Sequence, residues 1–369
     1  MTLPITSAFG GYSAAMSEQQ RLKVVVVGAT GNVGTSIVEA LSEEPSVEEI
    51  VGVARRHTDW TCSKTRWIFA DAGVDDFRPI VRGADAVIHL SWLFQPTHEP
   101  EVTFENNVLG AIRVFEAVAE ERVPALVYAS SVAAYSPGPS DTGVTEDWPT
   151  HGWPGAAYPR EKAYLERWLD AYELNNPDMR VVRMRPGFIF KRESATAQRR
   201  LFVGPLLAGR LVRGGLIPAV PLVEDLRAQI LHTTDAAAAY VQAVLRPVRG
   251  AFNLAAEPPV DGAYLAELFG ARQIPLPRPA VRGVLWAAWH THAVPASPGL
   301  LDTVLQLPIM DTTRARTELG WQPRYTPRET LEEFLGGLRD GAGLPTPPLH
   351  GDTVGGRLRE FATGIGQRP

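Results

Sequence analysis

A single cysteine, Cys62, in a chain of 369 residues rules out an intramolecular disulfide framework and any zinc cluster built on cysteines. That scarcity suits a reducing compartment, and cytoplasm is the expected location. No apolar run approaches the ~18 residues needed to cross a bilayer. Residues 1–20 carry no basic residue ahead of a mildly apolar stretch, so they read as a flexible tail rather than a leader or anchor, with Met16 as an alternative start. Charge of one sign is also missing. With 36 basic against 41 acidic residues the net charge is -5, which favours neither nucleic acid nor an anionic membrane surface. The expected partner is a small-molecule substrate.

What is present is a globular composition, with 45% hydrophobic and 21% charged residues, and a repeating alternation of strand and helix signals. Lys23 to Val27 is a β-branched run ended by glycines. A helical pattern from Asn32 to Leu41 and a second apolar run, Ile50 to Val53, complete a βαβ unit. Further runs at Ala86 to Leu90, Ala125 to Ala129 and Val181 to Met184 alternate with helical stretches at Val108 to Glu121 and Glu161 to Glu173. Strands apolar on both faces call for a parallel sheet covered on both sides, an α/β fold of the Rossmann-type doubly wound class. After Pro186, proline and glycine punctuate the chain at Gly214-Gly215, Pro247, Pro258-Pro259 and Pro275 to Pro279. The expected organisation is a dinucleotide-binding domain over 21–187, a smaller substrate lobe over 188–340 interleaved with late sheet elements, and a Gly/Pro-rich tail over 341–369 that wraps the surface or is disordered.

Gly28-Ala29-Thr30-Gly31-Asn32-Val33-Gly34 lies between the first strand and its helix, the context a dinucleotide loop requires. Glycine permits the tight turn and close backbone approach, and the helix N-terminus offers free N–H groups to a pyrophosphate. At the end of the second strand, where NAD-selective folds present a carboxylate to the ribose, the chain has Ala54-Arg55-Arg56. Two guanidinium groups match a 2′-phosphate, favouring NADP over NAD; otherwise they face solvent, or one stacks on the adenine.

Tyr158 and Lys162 are spaced to share one helix face, and Ser130-Ser131 ends a strand run. Together Ser131, Tyr158 and Lys162 form a set for carbonyl chemistry: a hydroxyl to polarise the carbonyl, a phenol to move the proton, and an ammonium to lower the phenol's pKa and contact the ribose. His290 and His292, two apart, point to different helix sides, so no metal site is expected. Trp286 and Trp289 read as packing or as a pocket wall, and Arg192, Arg199 and Arg200 as a solvated face or a grip on an anionic substrate group.

On these residues the chain resembles the extended short-chain dehydrogenase/reductases, the NAD-dependent epimerase/dehydratase family, from about Lys23 to Leu338. The likeness rests on Gly28, Gly31 and Gly34; on Ser131 four residues ahead of Tyr135; and on Tyr158-x-x-x-Lys162. It extends to Asp71 after the third strand, His89-Leu90-Ser91, Asn107 opening a helix, Arg185-Pro186-Gly187, and Glu318-Leu319-Gly320-Trp321. The resemblance implies catalysis by Ser131, Tyr158 and Lys162. It implies a cofactor cradle of Gly28, Thr30, Gly31, Asn32, Val33 and Gly34, then Arg55, Arg56, Asp71 and Ala72. Leu90, Ser91, Trp92, Asn107, Ala129, Pro186, Gly187 and Phe188 complete it, with Tyr158 and Lys162 shared. A homodimer is the implied assembly. Two departures stand out. Pro159 follows the tyrosine, so the helix is expected to start close to it. The stretch before Asp235 keeps the family's strand but no recognisable sugar-nucleotide segment. Hydride transfer to a carbonyl or secondary alcohol, as oxidoreduction or epimerisation, is the expected function. A nucleotide-sugar epimerase/dehydratase and a non-catalytic dinucleotide sensor or scaffold are the alternatives.

Overall fold

The computed structural model describes residues 21–367 apart from 140, 206, 208, 210, 211, 213–216, 354, 357–359 and 361–363. The expected tail 1–20, Met16, and the Gly214-Gly215 break lie outside the described residues.

In β1 (Leu22–Val27) the valines divide between two cores: Val24 and Val26 face one, Val25 and Val27 the other. Successive strand side chains point to opposite faces, so a strand buried both ways belongs in the middle of a covered sheet. β1 accordingly pairs in parallel with both β2 (Val47–Ala54) and β4 (Ala86–His89). With β3 (Thr65–Phe69), β5 (Ala125–Ala129), β6 (Arg180–Pro186) and the late strand Gly250–Leu254 they form one seven-stranded parallel sheet. Its order is Gly250–Leu254, β6, β5, β4, β1, β2, β3, a Rossmann-type doubly wound arrangement. One face is covered by α1 (Asn32–Glu43) and the helix Thr233–Leu245, through Ile37, Leu41 and Tyr240. The other is covered by the helices Gly110–Glu120 and Ala157–Asn175, through Val114, Phe115, Leu165 and Leu169. The strand order reverses between β1 and β4, and the crevice beyond their carboxyl ends is where such folds hold ligands.

One local expectation needs correction and another is met. The helix expected from Val108 is longer: it opens at Pro100–Phe104, passes through a π-helical turn at Glu105–Leu109, and continues as Gly110–Glu120. Asn107 therefore lies inside a widened turn rather than at a helix start. Such turns redirect a side chain, and here the redirected amide is fully used, as described below. The long helix starts at Ala157, which puts Pro159 in its first turn, where a missing N–H costs nothing.

Beyond Pro186 the late strand Gly250–Leu254 returns to the main sheet, while short pairs such as Phe188–Phe190 with Ile230–His232 form separate two-stranded sheets. The tail docks at several points. Thr346 donates to the Thr30 carbonyl at 3.0 Å and Thr58 to the Pro345 carbonyl at 3.3 Å. Arg199 pairs with Glu360 at 2.6 Å, and the Thr97 N–H donates to the Gly366 carbonyl at 3.0 Å.

Candidate active site

The glycine loop is built by close approach. Gly28 has a φ of 88°, and a Cβ there would lie 2.8 Å from the Ser91 nitrogen, so only glycine lets the first loop meet the end of β4. A Cβ on Gly34 would lie 2.3 Å from the Gly28 carbonyl oxygen, which fixes the turn of α1 against the loop. Gly31 is the N-cap and no side chain caps the helix, which leaves its first-turn N–H groups for an anion. That uncapped end, and the space glycine preserves beside Ser91, fit the pyrophosphate of a dinucleotide. Thr30 is buried beneath the tail, and Val33 lies in the first turn. The Asn32 side chain is occupied structurally: its amide donates to the Ile189 carbonyl at 3.1 Å and accepts from Thr233 at 3.2 Å.

Other cradle residues fall around the same crevice. Arg55 and Arg56 lie exposed just past β2. Burial, then the charges of Arg55 and Arg200, push the Arg56 guanidinium below the ordinary arginine range, so Arg200 from the lobe joins the pair. Sequence reasoning grouped Arg200 with Arg192 and Arg199, but the three diverge. Arg192 meets Asp340, Arg199 meets Glu360, and Arg200 donates to the Pro348 carbonyl at 2.9 Å. Asp71 follows β3 and accepts from the Gly73 N–H at 2.9 Å, while Ala72 packs against Gly110. The Leu90 N–H donates to the Val27 carbonyl at 2.8 Å, tying β4 to β1.

Asn107 acts through the loop after β4. Its oxygen accepts from the Leu93 N–H at 2.6 Å, and its nitrogen donates to the Leu93 carbonyl at 2.8 Å and to Glu161 at 2.7 Å. With both amide atoms engaged, it positions Ser91, Trp92 and Leu93 against the long helix. At the far side Gly187 is required by contact, since a Cβ there would lie 2.3 Å from the Gln229 carbonyl oxygen. The same carbonyl accepts from the Phe188 N–H at 2.9 Å, which fixes the turn after Pro186.

Ser131, Tyr158 and Lys162 converge at the end of β5. Ser131 caps the short turn Val132–Ala134, accepting from the Ala133 N–H at 3.1 Å, and its hydroxyl is near enough to the Tyr158 phenol to favour the ionised form. Lys162 donates to the Ala129 carbonyl at 2.6 Å and lies 3.5 Å from the centre of the Trp92 ring. Trp92 in turn meets Tyr158 edge-on, ring centres 5.5 Å apart. Burial pushes the phenol up to about 12, with the Ser131 hydroxyl pulling the other way. Burial likewise lowers the Lys162 ammonium well below the usual lysine range, against the pull of Glu161 and Glu166. The expected lowering of the tyrosine by the ammonium is outweighed here by desolvation, because the cation is directed at Ala129 and Trp92. A protonated phenol is an acid, ready to give a proton to an oxygen.

Sequence reasoning missed the buried network behind this set. Glu166 is fully buried and binds Ser130, Arg183 and Arg185. Arg185 donates to Tyr135 at 2.9 Å, and Tyr135 donates to Asn253 at 2.7 Å. The spacing of Glu166, one turn beyond Lys162, was the available signal. Trp289, weighed as packing or pocket wall, stacks on His98 at 3.9 Å; Trp286 is half exposed.

Comparison with known proteins places the chain in a family. The profile of the NAD dependent epimerase/dehydratase family matches residues 24–255. An uncharacterized protein of Mycobacterium tuberculosis is 25% identical over 330 residues, covering 85% of this chain and 83% of its own length. The L-arabinose 1-dehydrogenase (NAD(P)(+)) of Haloferax volcanii is 32% identical over 109 residues, 30% of this chain and 41% of the relative. Among solved structures, the UDP-glucose 4-epimerase of Thermus thermophilus in complex with NAD superposes with a TM-score of 0.64 at 20% identity, over 86% of this chain and 99% of that one. The UDP-glucose 4-epimerase of Thermotoga maritima with UDP-glucose gives 0.66 at 16% identity, over 86% and 99%.

Proposed function

Because the chain belongs to the NAD dependent epimerase/dehydratase family, we propose that it moves a hydride between a nicotinamide dinucleotide and a carbonyl or secondary alcohol carbon. The observation that carries this reading is the convergence of Ser131, Tyr158 and Lys162 at the end of β5, where the Trp92 ring packs against both the Tyr158 ring and the Lys162 ammonium. When bound, the dinucleotide supplies or accepts the hydride. Tyr158 then moves the proton at the substrate oxygen, Ser131 polarises that oxygen, and Lys162 fixes the Ala129 carbonyl and the Trp92 ring beside them.

The phenol at about 12 favours the protonated form at neutral pH, which suits the reductive direction. NADP is the favoured cofactor, since Ala54-Arg55-Arg56 at the end of β2 offers two guanidinium groups where an NAD-selective fold would present a carboxylate, with Arg200 close by. A nucleotide-sugar epimerisation is the second reading, resting on the overall likeness to such epimerases. A sensor or scaffold without chemistry has no need of the Ser131, Tyr158 and Lys162 set.

The test follows the hydride. The enzyme is given dinucleotide deuterated at the transferred position and a carbonyl panel, and the products are read by mass spectrometry. Deuterium on the carbinol carbon is the expected result; bound dinucleotide that labels none of the panel would contradict the reading.

A further inference from the structure

Beside Tyr158, between the loop after β4 and the lobe, lies a cavity of about 90 Å³. Its walls are carbon. The Phe94 ring stacks on Tyr158 with centres 5.4 Å apart, Phe202 meets Phe94 edge-on at 5.6 Å, and Trp92, Leu201 and Leu300 complete them.

Four polar side chains on the lining, those of Thr97, Thr103, Glu161 and Ser297, each have a hydrogen-bond partner within the chain. Thr103 donates to Glu161, and Glu161 also accepts from Asn107 at 2.7 Å. Thr97 accepts from Trp289 at 3.2 Å, and Ser297 accepts from the Leu300 N–H at 3.3 Å. Among the described residues no lysine or arginine lines the cavity. A hexose ring bearing several hydroxyls would find few partners for them on these walls. Burying hydroxyls without partners is unfavourable, whereas burying alkyl carbon against aromatic walls is favourable.

Resting on the hydride-transfer reading, we propose that this cavity is the substrate site and takes a ketone or secondary alcohol with small apolar substituents, excluding polyhydroxylated sugars. In the reductive direction the carbonyl carbon gains a hydride from the reduced dinucleotide. The carbonyl oxygen gains the Tyr158 proton, and water reprotonates the phenolate.

The experiment uses the full chain with 2-pentanone and UDP-glucose as paired probes. Binding is read by saturation-transfer NMR in the presence of oxidised dinucleotide, where ketone reduction is blocked, and turnover by consumption of the reduced form. The ketone is expected to receive saturation and to be reduced, and UDP-glucose to do neither. Phe202→Ser and Leu300→Ser should each raise KM for the ketone roughly 10-fold or more with unchanged dinucleotide affinity. If one variant does not fold, the other and the wild-type probe pair decide. Preference for UDP-glucose, or dinucleotide-loaded enzyme that neither binds nor reduces 2-pentanone, overturns the proposal while leaving hydride transfer standing. A chain that holds no dinucleotide fails at the broader reading and takes this inference with it.

Discussion

Glu166 receives the Arg185 guanidinium on both carboxylate oxygens, each bond 2.9 Å long, at a depth where neither side chain meets solvent appreciably. The pair joins the long helix to β6, and through Ser130 it reaches the segment that carries Ser131. Removing one partner leaves the other charged, buried and uncompensated.

Glu166→Gln is therefore expected to destabilise the fold by about 3–5 kcal/mol, read as a lowered urea midpoint with an unchanged slope. Restoring balance with Arg185→Met in the same chain should recover part of that loss. Equal stability of Glu166→Gln and wild type would remove the pair from the fold's support.

The same network sets an acid limit. Burial alone would raise the Glu166 carboxyl, but bonding to Arg185, the charges of Arg185 and Arg183, and the Ser130 hydroxyl hold it down at about 2, against an ordinary 4.5. Its stabilisation is complete above about 4.5 and disappears as pH falls toward 2. His89 is also depressed, to about 3, by burial and then by the Lys162 charge. Below about 6.5 the unfolded chain takes up a proton that folded His89 refuses, so stability falls on acidification from there. A pH series of urea midpoints should decline from 6.5, then steepen below 4.5, and His89→Phe should flatten the first part.

Gly28→Ala places a Cβ 2.8 Å from the Ser91 nitrogen in a left-handed backbone conformation. A loss of about 1–3 kcal/mol in stability is expected from the strain, with weaker dinucleotide binding because the loop and the end of β4 must part. Isothermal titration and thermal unfolding on the same protein check both.

Much of this was legible because it is local. The β1 valines, the glycine loop, the Tyr158 spacing and the first-turn placement of Pro159 each depend on neighbours within a few residues. What stayed hidden depends on distant segments. Nothing local joins Arg200 to Arg56, or Thr346 to the Thr30 carbonyl 316 residues away. The π-helical turn at Asn107 was hidden for the same reason, since Leu93 and Glu161 satisfy the amide from other elements. The tail's composition suggested a surface wrap or disorder, and its docking points are set by the lobe and the crevice.

Cofactor choice follows from charge. Replacing Arg55 or Arg56 with alanine is expected to cost about 1.4–2.8 kcal/mol, roughly 10–100-fold, in NADP affinity and to leave NAD affinity nearly unchanged. Fluorescence titration with both reduced dinucleotides measures it. Equal losses for the two would place these arginines elsewhere than on a 2′-phosphate.

The central claim is that the Tyr158 phenol moves the substrate's proton, and Tyr158→Phe removes that hydroxyl while keeping the ring packed against Phe94 and Trp92. Single-turnover hydride transfer, measured beside dinucleotide affinity in wild type and variant, tests it most directly. The expected result is a transfer rate about 10²–10⁴-fold lower with affinity unchanged. An unchanged transfer rate would contradict the account.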